Sequence, residues 1–238
     1  MRLQVFLSRN GVSSRRGALD LIKKGNVSLN GEVVFEPSTE VDEKCAGVSV
    51  NGERIKPRKF VYILLNKPKG YMTTKEDRFA DKTVLDLLPK NLNHLAPVGR
   101  LDKDTEGLLL LTNDGDVAYK LTHPKFNIDK TYYVTLRERL EHQKRIKVEN
   151  GVYLDGVKTL PAKIKIIKLL RDRTELTITI HEGKKRQVRR MFANVKTKVL
   201  YLKRLVQGPL KLGTLKVGCA RELNAKEINS IRMIGDDV

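Results

Sequence analysis

Tryptophan is absent from this 238-residue chain, and cysteine occurs only at Cys45 and Cys219. Two cysteines far apart and outside any CxxC spacing exclude a disulfide framework and a cysteine-built zinc site. Both are expected to be buried thiols. The four histidines, His94, His123, His142 and His181, form no pair at metal-ligand spacing, so no metal is expected. A glycine-rich phosphate loop and a dinucleotide-binding turn are missing as well, which leaves no cofactor to expect. Long apolar runs are also lacking: the longest, Phe60 to Leu65, has six residues, far short of the ~20 that a membrane-spanning helix needs. The start, MRLQVFLSRNGVSSRR, carries neither the apolar segment nor the small-residue cleavage site of a secretory signal, so a cytoplasmic protein is expected.

Positive charge is what the chain has in excess. Its 47 Lys and Arg against 28 Asp and Glu give a net charge of +19. Such an imbalance calls for a large polyanionic partner, RNA, DNA or an anionic membrane, and the membrane is the weakest of these. The charge is unevenly spread. Residues 1–58 hold 10 basic and 7 acidic residues, residues 59–238 hold 37 and 21, and residues 162–204 alone hold 14 and 3. A polyanion is therefore expected to dock mainly on the larger, later part of the chain.

A chain of this length accommodates one or two domains. Residues 2 to about 48 read as a unit of two short helices and a hairpin. Ser13 or Ser14 can cap the second helix, Gly25 can stop it, and Asn30-Gly31 favours a tight turn between Val27, Leu29 and Val33, Phe35. Lys56-Pro57-Arg58-Lys59 marks the linker, so domains are expected at 1–58 and 59–238, with Val48 to Ile55 assignable to either side. Beyond it, Phe60 to Leu65 and Leu108 to Leu111 read as buried strands. Val84 to Leu88 and Asp116 to Leu121 read as short helices. Three further strands follow from alternation: Tyr132, Val134 and Leu136; Ala162 to Leu170; and Leu176, Ile178 and Ile180. In KKRQVRRMFANV the period becomes helical, with Val188, Met191, Phe192 and Val195 on one stripe, Lys184, Lys185, Arg186 and Arg190 opposite, and Arg189 beside the stripe.

One acidic residue stands out. Asp102 lies in GRLDKDTEG, a short loop between an Arg-bearing glycine turn and the run of four leucines. A carboxylate on a loop docked against a buried element is held in place, as a nucleophile must be.

The segment SRRGALDLIKKGNVSLNGEVV is similar to the S4 RNA-binding module, and on that resemblance Arg15, Arg16, Lys23 and Lys24 are expected to meet RNA phosphates. Four more segments, in order, resemble the RsuA family of ribosomal RNA pseudouridine synthases: LLNKPKGYMTT at 64–74, GRLDKDTEGLLLLTNDG at 99–115, KTYYVTL at 130–136 and EGKKRQVRRMF at 182–192. The resemblance implies an α+β protein with a small S4 domain ahead of a catalytic domain built on a mixed, mostly antiparallel sheet. It implies that Asp102 is the essential carboxylate in isomerising uridine to pseudouridine, either attacking C1′ or removing the C2′ proton. Aspartates are ordinarily ionised at neutral pH, as either route requires. Arg189 is expected to face Asp102, and Tyr132 to lie against the base. Arg100 is expected either to fill the space left by an extruded uridine or to brace the loop. Lys184, Lys185, Arg186 and Arg190 are expected to hold the RNA. Ribosomal RNA, or a ribosomal assembly intermediate, is the implied partner of a monomeric enzyme. SRNGVSSRR at 8–16 and LNHLAPVGRLDKDTEGLLLLTNDG at 92–115 resemble the family's large-subunit members more, which implies 23S rather than 16S rRNA. A noncatalytic ribosome-assembly factor on the same fold is the competing reading, but it would not need Asp102, Tyr132 and Arg189 together.

Overall fold

The computed structural model describes residues 1–42, 47–74 and 82–235. Cys45 lies outside them, and Cys219 is exposed, which corrects the expectation of a buried thiol there. The chain forms two compact units, one of Met1–Val61 with Thr112–Gly115, the other of Tyr62–Leu111 and the chain from Asp116 onward.

In the first unit, α1 (Leu3–Arg9) and α2 (Arg15–Lys23) are followed by β1 (Val27–Leu29) and β2 (Glu32–Val33). The Ser14 side chain accepts the Gly17 N–H at 3.1 Å and so caps α2. Asn30 and Gly31 take φ of 53° and 93°, the positive angles a tight hairpin requires. Strands β3 (Val48–Val50) and β4 (Glu53–Arg54) enlarge the hairpin to an antiparallel sheet in the order β2-β1-β3-β4. The segment that the sequence left open thus belongs here. Val48 and Val50 close a core with Leu3, Phe6, Leu7, Ala18, Ile22 and Val27. Arg15, Arg16, Lys23 and Lys24 are all exposed.

After this unit come β5 (Tyr62–Lys67), β6 (Ala96–Pro97), β7 (Glu106–Thr112), α3 (Gly115–Thr122), β8 (Lys130–Leu136) and α4 (His142–Glu149). They are followed by β9 (Tyr153–Leu154), β10 (Val157–Lys158), β11 (Lys163–Leu169), β12 (Thr174–Ile180), α5 (Gln187–Asn194), β13 (Val199–Gln207), β14 (Leu210–Lys211), β15 (Ala220–Glu222) and α6 (Ala225–Arg232). One sheet runs β11-β12-β8-β13-β7-β5-β15, with β14 beside β13 and β6 beside β7. Strands β13 and β7 are parallel, while β11–β12, β12–β8, β8–β13 and β5–β15 are antiparallel. This is the mixed, mostly antiparallel sheet of an α+β protein.

Leu108 to Leu111 are wholly buried, as a central strand covered on both faces requires. Strand β5 begins two residues later than the apolar run suggests and continues through Asn66 and Lys67, both fully buried. The helix expected at Val84 to Leu88 is a single 3-10 turn, Val84–Leu87. Strand β11 lies at the sheet edge. A register shift between Ile166 and Lys168 breaks its alternation and leaves Ile167 and Leu169 exposed. Helix α5 buries Val188, Met191 and Phe192, and Lys184, Lys185 and Arg186 precede it rather than sit on its outer face.

Candidate active site

The loop between β6 and β7 is fixed through its main chain. Thr73 Oγ1 donates to the Leu101 carbonyl at 2.7 Å, and the Gly70 N–H donates to the Lys103 carbonyl at 2.8 Å. The Thr105 N–H donates to the Asp102 carbonyl at 3.0 Å, closing a turn. Beneath it, the ammonium of Lys67 donates to the carbonyls of Pro68, Asp102 and Thr105 at 3.1, 3.1 and 2.9 Å. Burial lowers the pKa of Lys67 to about 8, against the opposing pull of the Asp102, Asp104 and Glu106 carboxylates. Backbone contacts thus hold the loop and leave the Asp102 carboxylate available.

Asp102 lines a cavity of about 350 Å³, the size of a small-ligand site. Tyr132 lines it, nearly buried, while Tyr133 points to the opposite face of β8 and donates its hydroxyl to Glu175 at 2.8 Å. Arg100, Lys184, Lys185 and Arg186 line the cavity too, and Leu101, Ile180, Val188 and Leu202 supply apolar wall. Residues distant in sequence, Asp102, Tyr132 and the basic loop before α5, therefore meet at one site.

Among the described residues, the cation nearest Asp102 is not the expected one. Arg186 Nη1 lies 3.9 Å from Asp102 Oδ2, while its guanidinium pairs in bidentate fashion with Asp104 at 2.9 and 3.0 Å. Arg189 is instead turned to Asp104, with Nη2 3.2 Å from Oδ2. Its guanidinium is held there by two main-chain acceptors, Val199 and Asp104, each at 3.1 Å. Burial lowers the pKa of Arg189, and Asp104 leads the carboxylates that oppose the shift. The Asp104 carboxyl is pushed below its ordinary range, first by the hydrogen bond from Arg186. Arg186 reaches both carboxylates from a left-handed backbone position, φ 50°, just ahead of α5. Such a conformation is uncommon for a non-glycine residue and is stored where a site needs it. Arg190 lies outside the cavity, paired with Asp155 at 2.6 Å.

Sequence reasoning missed Lys67, Asp104, Thr105, Arg204 and Gln207. Thr105 Oγ1 is buried, without a hydrogen-bond partner among the described residues, and Thr105 lines the cavity. Lys67 sits in Asn66-Lys67-Pro68-Lys69-Gly70, a segment whose Pro and Gly read as a turn. Arg204 could have been found, because strand alternation puts it on the face of Leu202.

A family model for RNA pseudouridylate synthases matches residues 61–194, and one for the S4 domain matches residues 1–44. The chain belongs to the RNA pseudouridylate synthase family, as its motifs led us to expect. It is 42% identical over 240 residues to the ribosomal large subunit pseudouridine synthase B of Bacillus subtilis (strain 168), covering 99% of this chain and 97% of that protein. It is 40% identical to an uncharacterized RNA pseudouridine synthase of Aquifex aeolicus (strain VF5), covering 96% and 92%. A crystal structure of a pseudouridylate synthase matches with a TM-score of 0.70 at 33% identity, covering 97% of this chain and 99% of that one.

Proposed function

We propose that this enzyme isomerises one uridine of ribosomal RNA, in the 23S molecule of the large subunit, with Asp102 as the essential carboxylate. The observation that carries this reading is that Asp102 and Tyr132 line the same cavity, together with Arg100, Lys184, Lys185 and Arg186. In the reaction the C1′–N1 bond breaks, the uracil turns, C5 bonds to C1′, and C5 gives up a proton while N1 ends protonated. Asp102 acts at the sugar, by attack on C1′ or removal of the C2′ proton. Tyr132 offers its ring to the base, for any base has a π-face. A base stacked in an RNA helix cannot present its glycosidic bond, so the uridine must be extruded, and the exposed Arg100 stands at the mouth to take its place. The flanking strand meets Lys184, Lys185 and Arg186 at this site, and Arg190 beside it. Arg189 acts through Asp104, by fixing the carboxylate that in turn holds Arg186.

The exposed Arg15, Arg16, Lys23 and Lys24 of the S4 unit supply a second set of phosphate contacts. The enzyme acts as a cytoplasmic monomer, without cofactor or metal, on rRNA or on an assembly intermediate. Support for the large subunit comes from the relative named for it. The test is to map pseudouridines in 23S and 16S rRNA from cells lacking the protein, then add the purified enzyme to that RNA. One site missing from 23S rRNA and restored in vitro is expected. A missing site in 16S rRNA would overturn the subunit, and no missing site the substrate.

A further inference from the structure

Two polar side chains on β13 line the cavity that holds Asp102, and each carries a buried polar atom left unpaired among the described residues. Arg204 is 2% exposed and Gln207 1%, both line the cavity, and among the described residues neither Arg204 Nη2 nor Gln207 Oε1 has a hydrogen-bond partner. Buried polar atoms are rarely left so, because each costs its lost solvation unless something completes it. The other ends of both groups are held. Arg204 Nε donates to the Leu108 carbonyl at 2.8 Å, and Gln207 Nε2 to the Leu121 carbonyl at 3.4 Å, which leaves Oε1 as the acceptor facing away.

Residues three apart on a regular strand point to opposite faces. Here the register shifts between Arg204 and Val206, so that Arg204 stands opposite Tyr132 and Gln207 opposite Lys130, and all four line one cavity. A bulge that re-aims a side chain beside an active site is a recognised use of that irregularity.

We propose that Arg204 and Gln207 read the hydrogen-bonding edge of the target base, Gln207 Oε1 accepting from N3–H and Arg204 Nη2 donating to a neighbouring carbonyl oxygen. This rests on the reading that the cavity takes an extruded uridine. Uracil offers acceptor, donor, acceptor along O4, N3–H and O2. Cytosine offers an amino group and an unprotonated N3, which sets donor against donor and acceptor against acceptor. The pair also suits the reorientation. The half turn that exchanges N1 for C5 at C1′ has its axis through N3 and C6, and the same turn exchanges O2 for O4. The contact from Gln207 lies on the axis and survives the turn, while Arg204 meets one carbonyl before it and the equivalent one after. The base can thus be held while its glycosidic bond is open.

The test uses a synthetic RNA spanning the modified site, carrying uridine, 4-thiouridine or 3-methyluridine at the target. Wild-type enzyme forming no product on the uridine RNA would overturn the uridine reading itself. Given that product, wild type should lose about 10- to 100-fold in kcat/KM on 4-thiouridine, whose sulfur accepts poorly, and should not convert 3-methyluridine. Arg204→Met should show a comparable loss on uridine and at most about threefold further loss on 4-thiouridine, since the discriminating donor is gone. A variant that still discriminates fully would overturn the proposal. Should Arg204→Met fail to fold, the wild-type arm decides: conversion of 3-methyluridine at a rate within about threefold of uridine would overturn it.

Discussion

The ammonium of Lys67 donates at 3.1 Å to the main-chain oxygen of Asp102, not to its carboxylate. A buried charge therefore steadies the loop while the acid group stays free for chemistry. Because burial lowers its pKa to about 8, the folded protein releases this proton before the unfolded chain, whose lysine holds it to about 10.4. Between these values the unfolded state binds more protons, so stability rises with pH, with a slope approaching ~1.4 kcal/mol per pH unit. Urea unfolding at pH 8 to 9.5, below tyrosine ionisation, should show a steeper rise in wild type than in Lys67→Met, in which Lys130, its pKa also lowered by burial, still contributes. The methionine variant should also be weaker by about 2–4 kcal/mol at pH 7, as it strands three buried carbonyls. Parallel pH curves for the two proteins would contradict the assignment.

Asp104 competes with Asp102 for Arg186, at 2.9 Å against 3.9 Å. Asp104→Asn should let Arg186 close on Asp102 and occupy the carboxylate that must act. Single-turnover rates are expected to fall about tenfold, with stability changed by less than about 1 kcal/mol because the pair is well exposed. An unchanged rate would remove Asp104 from the site.

Gly107 has φ of 108°, and a Cβ there would stand 2.2 Å from the Arg204 carbonyl oxygen and 2.6 Å from its nitrogen, where parallel β7 and β13 meet. Neither backbone can give way cheaply. Gly107→Ala should therefore cost about 3 kcal/mol or more and displace Arg204 from the cavity. Thermal unfolding within 2 °C of wild type, judged against the several degrees that ~1 kcal/mol represents, would contradict this.

The two sets of basic residues should separate by salt dependence. Replacing Arg15, Arg16, Lys23 and Lys24 together with alanine should flatten the plot of log affinity for rRNA against log salt, by up to ~0.7–0.9 for each phosphate that is no longer neutralised. Asp102→Asn should leave that slope unchanged. Equal slopes for wild type and the quadruple variant would show that the S4 unit's basic face is merely solvated.

Elements with a one-dimensional signature were legible in the sequence. Leu108 to Leu111 had to be buried, Tyr132 and Tyr133 had to face opposite ways, and the stripe of Val188, Met191 and Phe192 had to form the inner side of a helix. What escaped depended on contacts between distant segments or on local breaks in period. The burial of Lys67 could not be read from its neighbours because its acceptors, the carbonyls of Asp102 and Thr105, lie more than thirty residues away. Arg186 displaced Arg189 beside Asp102 because one residue in left-handed conformation turns its side chain before the helix begins. Gln207 was hidden by a shift in register that no periodicity rule anticipates.

The most direct measurement is pseudouridine formation by Asp102→Asn on rRNA from cells lacking the protein, with affinity for the same RNA measured alongside. A carboxamide keeps the shape of the side chain but cannot attack C1′ or take the C2′ proton. Product should be abolished while affinity stays within about threefold of wild type, as expected when a group acts on the reaction rather than on binding. Wild-type levels of product from the asparagine variant would contradict the central claim.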